Sequence, residues 1–472
     1  MARDRERASF VAVRRFGLGA RPGEIVALRD DPRGAVLAQL QPRAGLLASS
    51  DLPSTVEALR RYWVYIAEVK RLREAEPPKP MAAAAPNSPS TAAMSPMPAP
   101  MPASVPEQLH RGEFEARLDR QLSTTTPMVE RLVNFWSNHF CVASRKGPML
   151  RAVAGAYERE VVRPHVIGRF ADMLSASAHH PAMLAYLDNN VSIGPSSKVG
   201  QRSKKGLNEN LGREILELHT LGVDGGYSQA DVTALSAALT GWDFAGMTAK
   251  SGEPGTFLFF PERHQPGPVR VLGKEYAQGG ADQAEAIFED LARHPATARH
   301  VARKLVRHFV GDQEPAGLVA RLTRVFLDTD GDLRAVSSAL VGSDEAWRAP
   351  PAKVLPPWDF LVATGRMLGI DWRFGEANRM LSLFGQPLWN VPFPSGWPDD
   401  DDAWAAPASL LELLDAVAAL ARRNAGDRNV PRLADETIGA FLHPETRRTI
   451  ERAETPEIAL TLLLMSPDFL RR

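Results

Sequence analysis

Cysteine is all but missing from this chain of 472 residues, in which Cys141 stands alone. A single thiol can form no internal disulfide and no four-thiolate zinc site, so thiol redox chemistry is not expected. An excess of either charge is missing too. Against 56 Lys and Arg stand 56 Asp and Glu, which leaves no chain-wide electrostatic grip on nucleic acid or an anionic membrane, and no nucleic-acid partner is expected. Apolar runs are short. No stretch approaches the roughly eighteen residues of a membrane span, so no transmembrane segment is expected. The opening, MARDRERASFVAVRRFGLGARPGE, is charged and never reaches the roughly seven consecutive apolar residues of a signal-peptide core, which points to a cytoplasmic protein. What is present, 44% hydrophobic and 24% charged residues, is the composition of a globular chain and excludes fibrous, collagen-like and globally disordered classes.

The sharpest change in composition lies between Pro77 and Pro106, where ten of thirty residues are proline and Ala, Ser and Met fill most of the rest. Proline removes backbone donors and fixes φ, while alanine and serine bury too little apolar area to offset the entropy of ordering. A disordered insertion over 74–106 is therefore expected, between an N-terminal helical part (1–73) and a main helical domain (107–472) that packs with it. Helical signals dominate both flanks. Pro22 to Leu40 reads as two short helices broken at Asp31-Pro32, and Thr55 to Arg73 as a longer one carrying Tyr62, Trp63 and Ile66. Val129, Leu132, Val133, Trp136 and Phe140 share one helical face, and Val301, Leu305 and Phe309 another. Ser228 followed by Asp231 is a capping-box pattern that starts a helix from about Gln229 to Thr240, closed by Gly241, and His294-Pro295 opens a further helix. Between Thr256 and Leu272, FLFF and VRVL flank a Pro/Gly/His-rich turn and suggest a hairpin. Strands and helices do not alternate, and neither a fixed repeat nor sustained heptads appear. The expected class is all-α, one large helical domain with a small β-hairpin.

Familiar catalytic patterns fail one by one. FGLGARPG has Gly17 and Gly19 but Pro22 where a phosphate cradle needs its third glycine, and no strand precedes it. Asp328, Asp330 and Asp332 have the spacing of a calcium loop, yet Leu333 and Ala339 occupy the places of its glycine and its glutamate. HExxH, GxSxG and Walker A patterns are absent. The densest run of chemically able side chains is NENLGREILELHTLGVDGGY, Asn208 to Tyr227. At about 100° per residue, Asn210, Arg213, Glu214 and Glu217 line one helical stripe beside an apolar one, while His219 points away. Two glutamates on one face can act as an acid and base pair or hold a metal; more commonly such a face is an ion-pair network, with Arg213 neutralising a glutamate.

Secondary candidates surround that run. His139 lies within an apolar stripe of FWSNHF and is expected to be buried and neutral, more often a satisfied core residue than a proton acceptor. Asp188, in YLDNNVS, and Asn208 join Asn210 as candidate substrate contacts, although such residues more often cap and turn. Lys198, Arg202, Lys204 and Lys205 form a basic loop before the glutamates, and His300, Lys304 and Arg307 a basic stripe that could face them.

FWSNHF, YLDNNVS, NENLGREILELHTLGVDGGYSQADVTALSAALTGW, HPATARHVARKLVRHFV and GQPLWNVPFPSGWPDD, in that order, resemble the bacterial family called domain of unknown function 1800. The likeness runs from RRFGLGARPGE almost to the C-terminus, apart from the proline-rich segment. The resemblance implies no activity and transfers no catalytic residue. Many relatives look exported and are encoded near a sulfatase-like companion, which sets the resemblance against the cytoplasmic expectation.

The functional expectation is a hydrolase with Glu214, Glu217, Arg213 and His139 as its catalytic group, Asn208, Asn210 and Asp188 as substrate contacts, and a divalent metal as an optional assistant. The competing expectation is a non-catalytic scaffold for a partner protein. It would present GQPLWNVPFPSGWPDDDDAW as an aromatic surface, unless Trp389, Trp397 and Trp404 pack inward.

Overall fold

Prolines mark where the helices begin, because a residue without an N–H costs nothing in the first turn. Pro127, Pro148, Pro181, Pro295, Pro357 and Pro444 each open a helix. In the computed structural model the described residues are 2–47, 51–75, 102–203, 205–248 and 252–472, and helices carry nearly all their regular structure. The protein is predominantly α-helical. Most of the expected insertion, 76–101, and Lys204 of the basic loop lie outside the described residues. Helix nevertheless reaches into both edges of that segment. One helix runs Thr55–Ala75, and another, Val105–Ser123, starts at Ser104, whose side chain accepts from the Glu107 N–H.

Local punctuation agrees with the sequence elsewhere. Asp31 caps the Pro32–Leu37 helix, and Ser228 and Asp231 form the reciprocal capping box of Gln229–Ala238. The β structure departs from expectation, because FLFF and VRVL do not pair with each other. Phe257–Phe259 pairs antiparallel with Trp242–Phe244, and Val269–Val271 with Lys274–Tyr276. The second pairing is a tight hairpin whose two turn residues, Leu272 and Gly273, both have positive φ, the geometry that matches strand twist.

Aromatic rings fill the centre. Trp136, Phe140 and Phe170 stack or tilt against one another, and Phe326 closes the group. The two ends of the chain meet: Phe10 stacks on Phe441 with ring centroids 4.1 Å apart, and Leu355 N–H donates to Leu470 O. Among the described residues no helix is long and apolar enough to cross a membrane.

A buried ion network braces the middle helices. Arg163 grips Glu130 with two hydrogen bonds of 2.9 and 3.0 Å and reaches Glu158 at 3.2 Å. Glu158 also accepts from Ser137 and Trp389, at 2.9 and 3.0 Å. The Trp/Pro segment is thereby packed inward at Trp389, while Trp397 and Trp404 are half-buried against each other.

Candidate functional site

The run from Asn208 to Tyr227 is not the uniform α-helix that its spacing suggests. Regular helix covers Asn210–Glu214 only, and Ile215–Thr220 is wound as a π-helix. Leu221 N–H donates five residues back to Leu216 O at 3.0 Å, and Thr220 Oγ1 bonds Ile215 O at 2.6 Å. This wider winding departs from the 100° per residue of the α-helical wheel from Ile215 onward. Two glycines admit close neighbours. A Cβ on Gly212 would run into Ser236 Oγ, and one on Gly222 would lie 2.7 Å from His300 Nδ1. The segment is thus clamped between the Gln229–Ala238 and Pro295–Phe309 helices.

Glu214 is half-buried and makes no hydrogen bond or ion pair with any described residue. Burial first, and the charge of Glu217 second, push its pKa up to about 7 against the pull of Arg213. Glu217 accepts from the Tyr227 hydroxyl at 3.2 Å. Burial and Glu217 together raise that phenol to about 12, so it stays a donor. Arg213 neutralises neither glutamate of the pair. It bonds Glu209 at 2.9 Å, and Glu209 is further held by Gln229 and Thr233, each at 2.8 Å. Glu209 and Arg213 are four residues apart, so this is the ordinary ion pair of neighbouring helical turns.

The remaining candidates scatter. Asn208 is engaged as a turn residue, with Oδ1 accepting from the Asn210 N–H at 2.9 Å and its own N–H donating to Ser192 Oγ at 3.0 Å. Asn210 is exposed. Asp188, in left-handed backbone at φ 57°, pairs with Lys146 at 2.7 Å. Its neighbour Asn189 is the buried member, bonding the carbonyls of Leu239 and Trp242.

His139 is buried, at 2% exposure, and donates through Nε2 to His219 O at 3.0 Å, while its Nδ1 has no partner. Its ring lies 6.2 Å from that of His219 and 6.1 Å from that of His300, centroid to centroid. Burial, reinforced by Lys304, holds its pKa well below the usual imidazole range, so it is neutral. The structure therefore brings Glu214 and Glu217 together and seats His139 in a separate cluster of imidazoles. The Cys141 thiol is buried against the carbonyl oxygens of Phe393 and Pro394. Burial pushes it up to about 12, with Lys304 lowering and Glu214 raising it to smaller extents.

Two residues of this neighbourhood escaped the sequence reading. His219 was set aside for pointing away from Glu217, yet it is buried among the imidazoles and beside Phe140. His308, which bonds Asp399 at 3.2 Å, lies on the inward face of its helix, whereas Arg307 turns outward to Glu314 at 2.8 Å. The four-residue spacing of His300, Lys304 and His308 was the available signal. Among the described residues no group of three or more His, Cys, Asp and Glu side chains is placed to hold a metal ion.

No curated protein and no solved structure matches the chain. A family model described as a protein of unknown function, DUF1800, matches residues 11–471, which is nearly the whole length, and the chain belongs to that family.

Proposed function

We propose that the protein is a hydrolase in which Glu214 is the general acid and base. The observation that carries this reading is a carboxyl group with no partner among the described residues and a pKa of about 7, the value at which a group gives and takes protons with equal ease at neutral pH. Glu214 would accept a proton from the attacking water and return it to the leaving group. Burial raises the Glu214 pKa, and the neighbouring Glu217, held by Tyr227, adds to the rise. Arg213, tied to Glu209, holds the frame of the segment, and the exposed Asn210, one turn before Glu214, is the substrate contact this reading favours.

The test is turnover of chromogenic esters, amides, glycosides and phosphate esters by the full chain and by Glu214→Gln. Turnover that depends on an ionisation near pH 7 and falls by about 10²–10⁴ in the variant is expected. Equal rates in both proteins, or no rate above the blank on any of the four, would overturn the reading. A binding role for a partner protein has one observation in its favour: Phe393, between Pro392 and Pro394, is 67% exposed.

A further inference from the structure

Between the Pro127–His139 helix and the Trp/Pro segment lies a cavity of about 90 Å³, walled in part by Trp358 and Trp389 and lined also by the exposed Pro398, where it meets the surface. His308 and Asp399 both line it, and His308 Nδ1 bonds Asp399 Oδ1 at 3.2 Å. A carboxylate accepts and does not donate, so Nδ1 carries the proton and Nε2 is left as an acceptor. Burial holds the ring down to about 4, against the pull of Asp399, so Nε2 gains no proton of its own at neutral pH. That nitrogen is buried, in a residue 9% exposed, and has no hydrogen-bond partner among the described residues.

The other polar groups around the cavity are engaged. Asn138 exchanges two hydrogen bonds with the Trp397 backbone, at 2.9 and 2.7 Å, and Asn134 Oδ1 accepts from Arg117 and Gln121, both at 2.7 Å. Charges are paired as well: Arg117 lies 3.4 Å from Glu158, and Asp359 is held by Arg131 at 2.8 Å and by Arg472 at 3.4 Å. Trp358 donates to Gln121 Oε1 at 2.8 Å and Trp389 to Glu158 Oε2 at 3.0 Å. Neither acceptor lines the cavity, so both indoles offer it ring carbon rather than N–H.

A buried acceptor without a donor is unfavourable, and a protein retains one where a donor from outside completes it. An ion entering here would compete with pairs already made, whereas a neutral hydroxyl donates to Nε2 while its carbon skeleton lies on the tryptophans. The volume is about the share of three water molecules, which suits a small polyol or one end of a sugar. We infer that this cavity binds a neutral polyhydroxylated ligand, with His308 Nε2 accepting from one of its hydroxyls. Glu214 is not among the lining residues, so the inference stands apart from the hydrolase reading.

The test uses Cys141, which lines the same cavity and is the only thiol in the chain. Its alkylation by iodoacetamide in the full-length protein, read by intact mass, is followed with glycerol or erythritol as polyols, D-xylose or D-glucose as sugars, and sodium acetate or methylammonium chloride as charged arms. At least one of the four hydroxylated probes is expected to slow labelling saturably at millimolar concentration. His308→Asn, which keeps an amide donor for Asp399 but has no acceptor at the Nε2 position, is expected to weaken that protection about tenfold. His308→Gln, whose longer amide reaches that position, is expected to restore most of it. A shift of the His308 Nε2 ¹⁵N resonance on adding the protecting probe is a readout in the wild type alone, independent of how the variants fold. Protection by none of the four, which leaves the cavity to water, equal protection in His308→Asn, or no shift of Nε2 would overturn the inference. Stronger protection by acetate or methylammonium would overturn the neutral class, and a thiol that never labels would remove the open cavity on which the inference stands. Glu214→Gln is expected to keep the protection whether or not it abolishes turnover.

Discussion

Among the described residues two stretches are wound as π-helix, Glu158–Val162 and Ile215–Thr220, and they treat a glutamate in opposite ways. At the first, Glu158 receives Ser137, Trp389 and Arg163, with Arg117 at 3.4 Å, and the neighbouring Glu130 is locked by Arg163 and Arg120. At the second, Glu214 receives nothing from the described residues, and its arginine neighbour serves Glu209 instead. The same widened turn thus occurs once in a saturated brace and once beside an open carboxyl. A distorted helix alone does not mark a site; what distinguishes one is a group whose hydrogen-bonding capacity the fold leaves unspent.

The largest expected effect breaks the brace. Arg163→Ala removes the cation shared by two buried carboxylates and is expected to cost about 3–5 kcal/mol in a denaturant unfolding experiment. A loss near zero would mean that the network is no more than surface pairing and would erase the contrast.

The comparison is sharpened by pH, because the two acids carry opposite signs. Burial alone would raise Glu130, but Arg163 and Arg120 outweigh it and hold the group below its ordinary 4.5. Its stabilising contribution is present above that value and is lost as pH falls through the lower folded value. Glu214 is raised to about 7, so its contribution is fully present below 4.5 and is lost as pH rises through about 7. Glu214→Gln should therefore remove a decline in stability between pH 5 and 8 while leaving the acid limb intact; an unchanged alkaline slope in the variant would sink the assignment.

The smallest expected effect lies in the frame of the open region. Ser228→Ala removes one half of the capping box ahead of Gln229 and Thr233, the residues that hold Glu209, and is expected to cost about 1 kcal/mol in thermal melting. Because Glu209 is what occupies Arg213, a change in the pH dependence of Glu214 in this variant would show that the frame, and not burial alone, sets its pKa.

Much was legible in the chain itself. Proline and capping residues act within a few positions of themselves, so the starts at Pro32, Gln229 and Pro295 and the all-α class follow from local chemistry. Burial of His139 followed from its apolar stripe, and Glu214 and Glu217 were marked by density of functional groups. The partner of FLFF lay back at Trp242–Phe244, across a loop that carries no pairing signal, and so the expected hairpin was drawn between the wrong strands.

Composition, periodicity and short-range caps determined on their own that this would be a helical, charge-balanced molecule, because those rules need only neighbours along the chain. Which imidazoles would gather around His139 was decided by packing between residues some eighty or more positions apart, as its hydrogen bond to His219 O and its ring contacts with His219 and His300 show. Burial and unmet pairing are properties of that enclosure, and no stretch of sequence contains them.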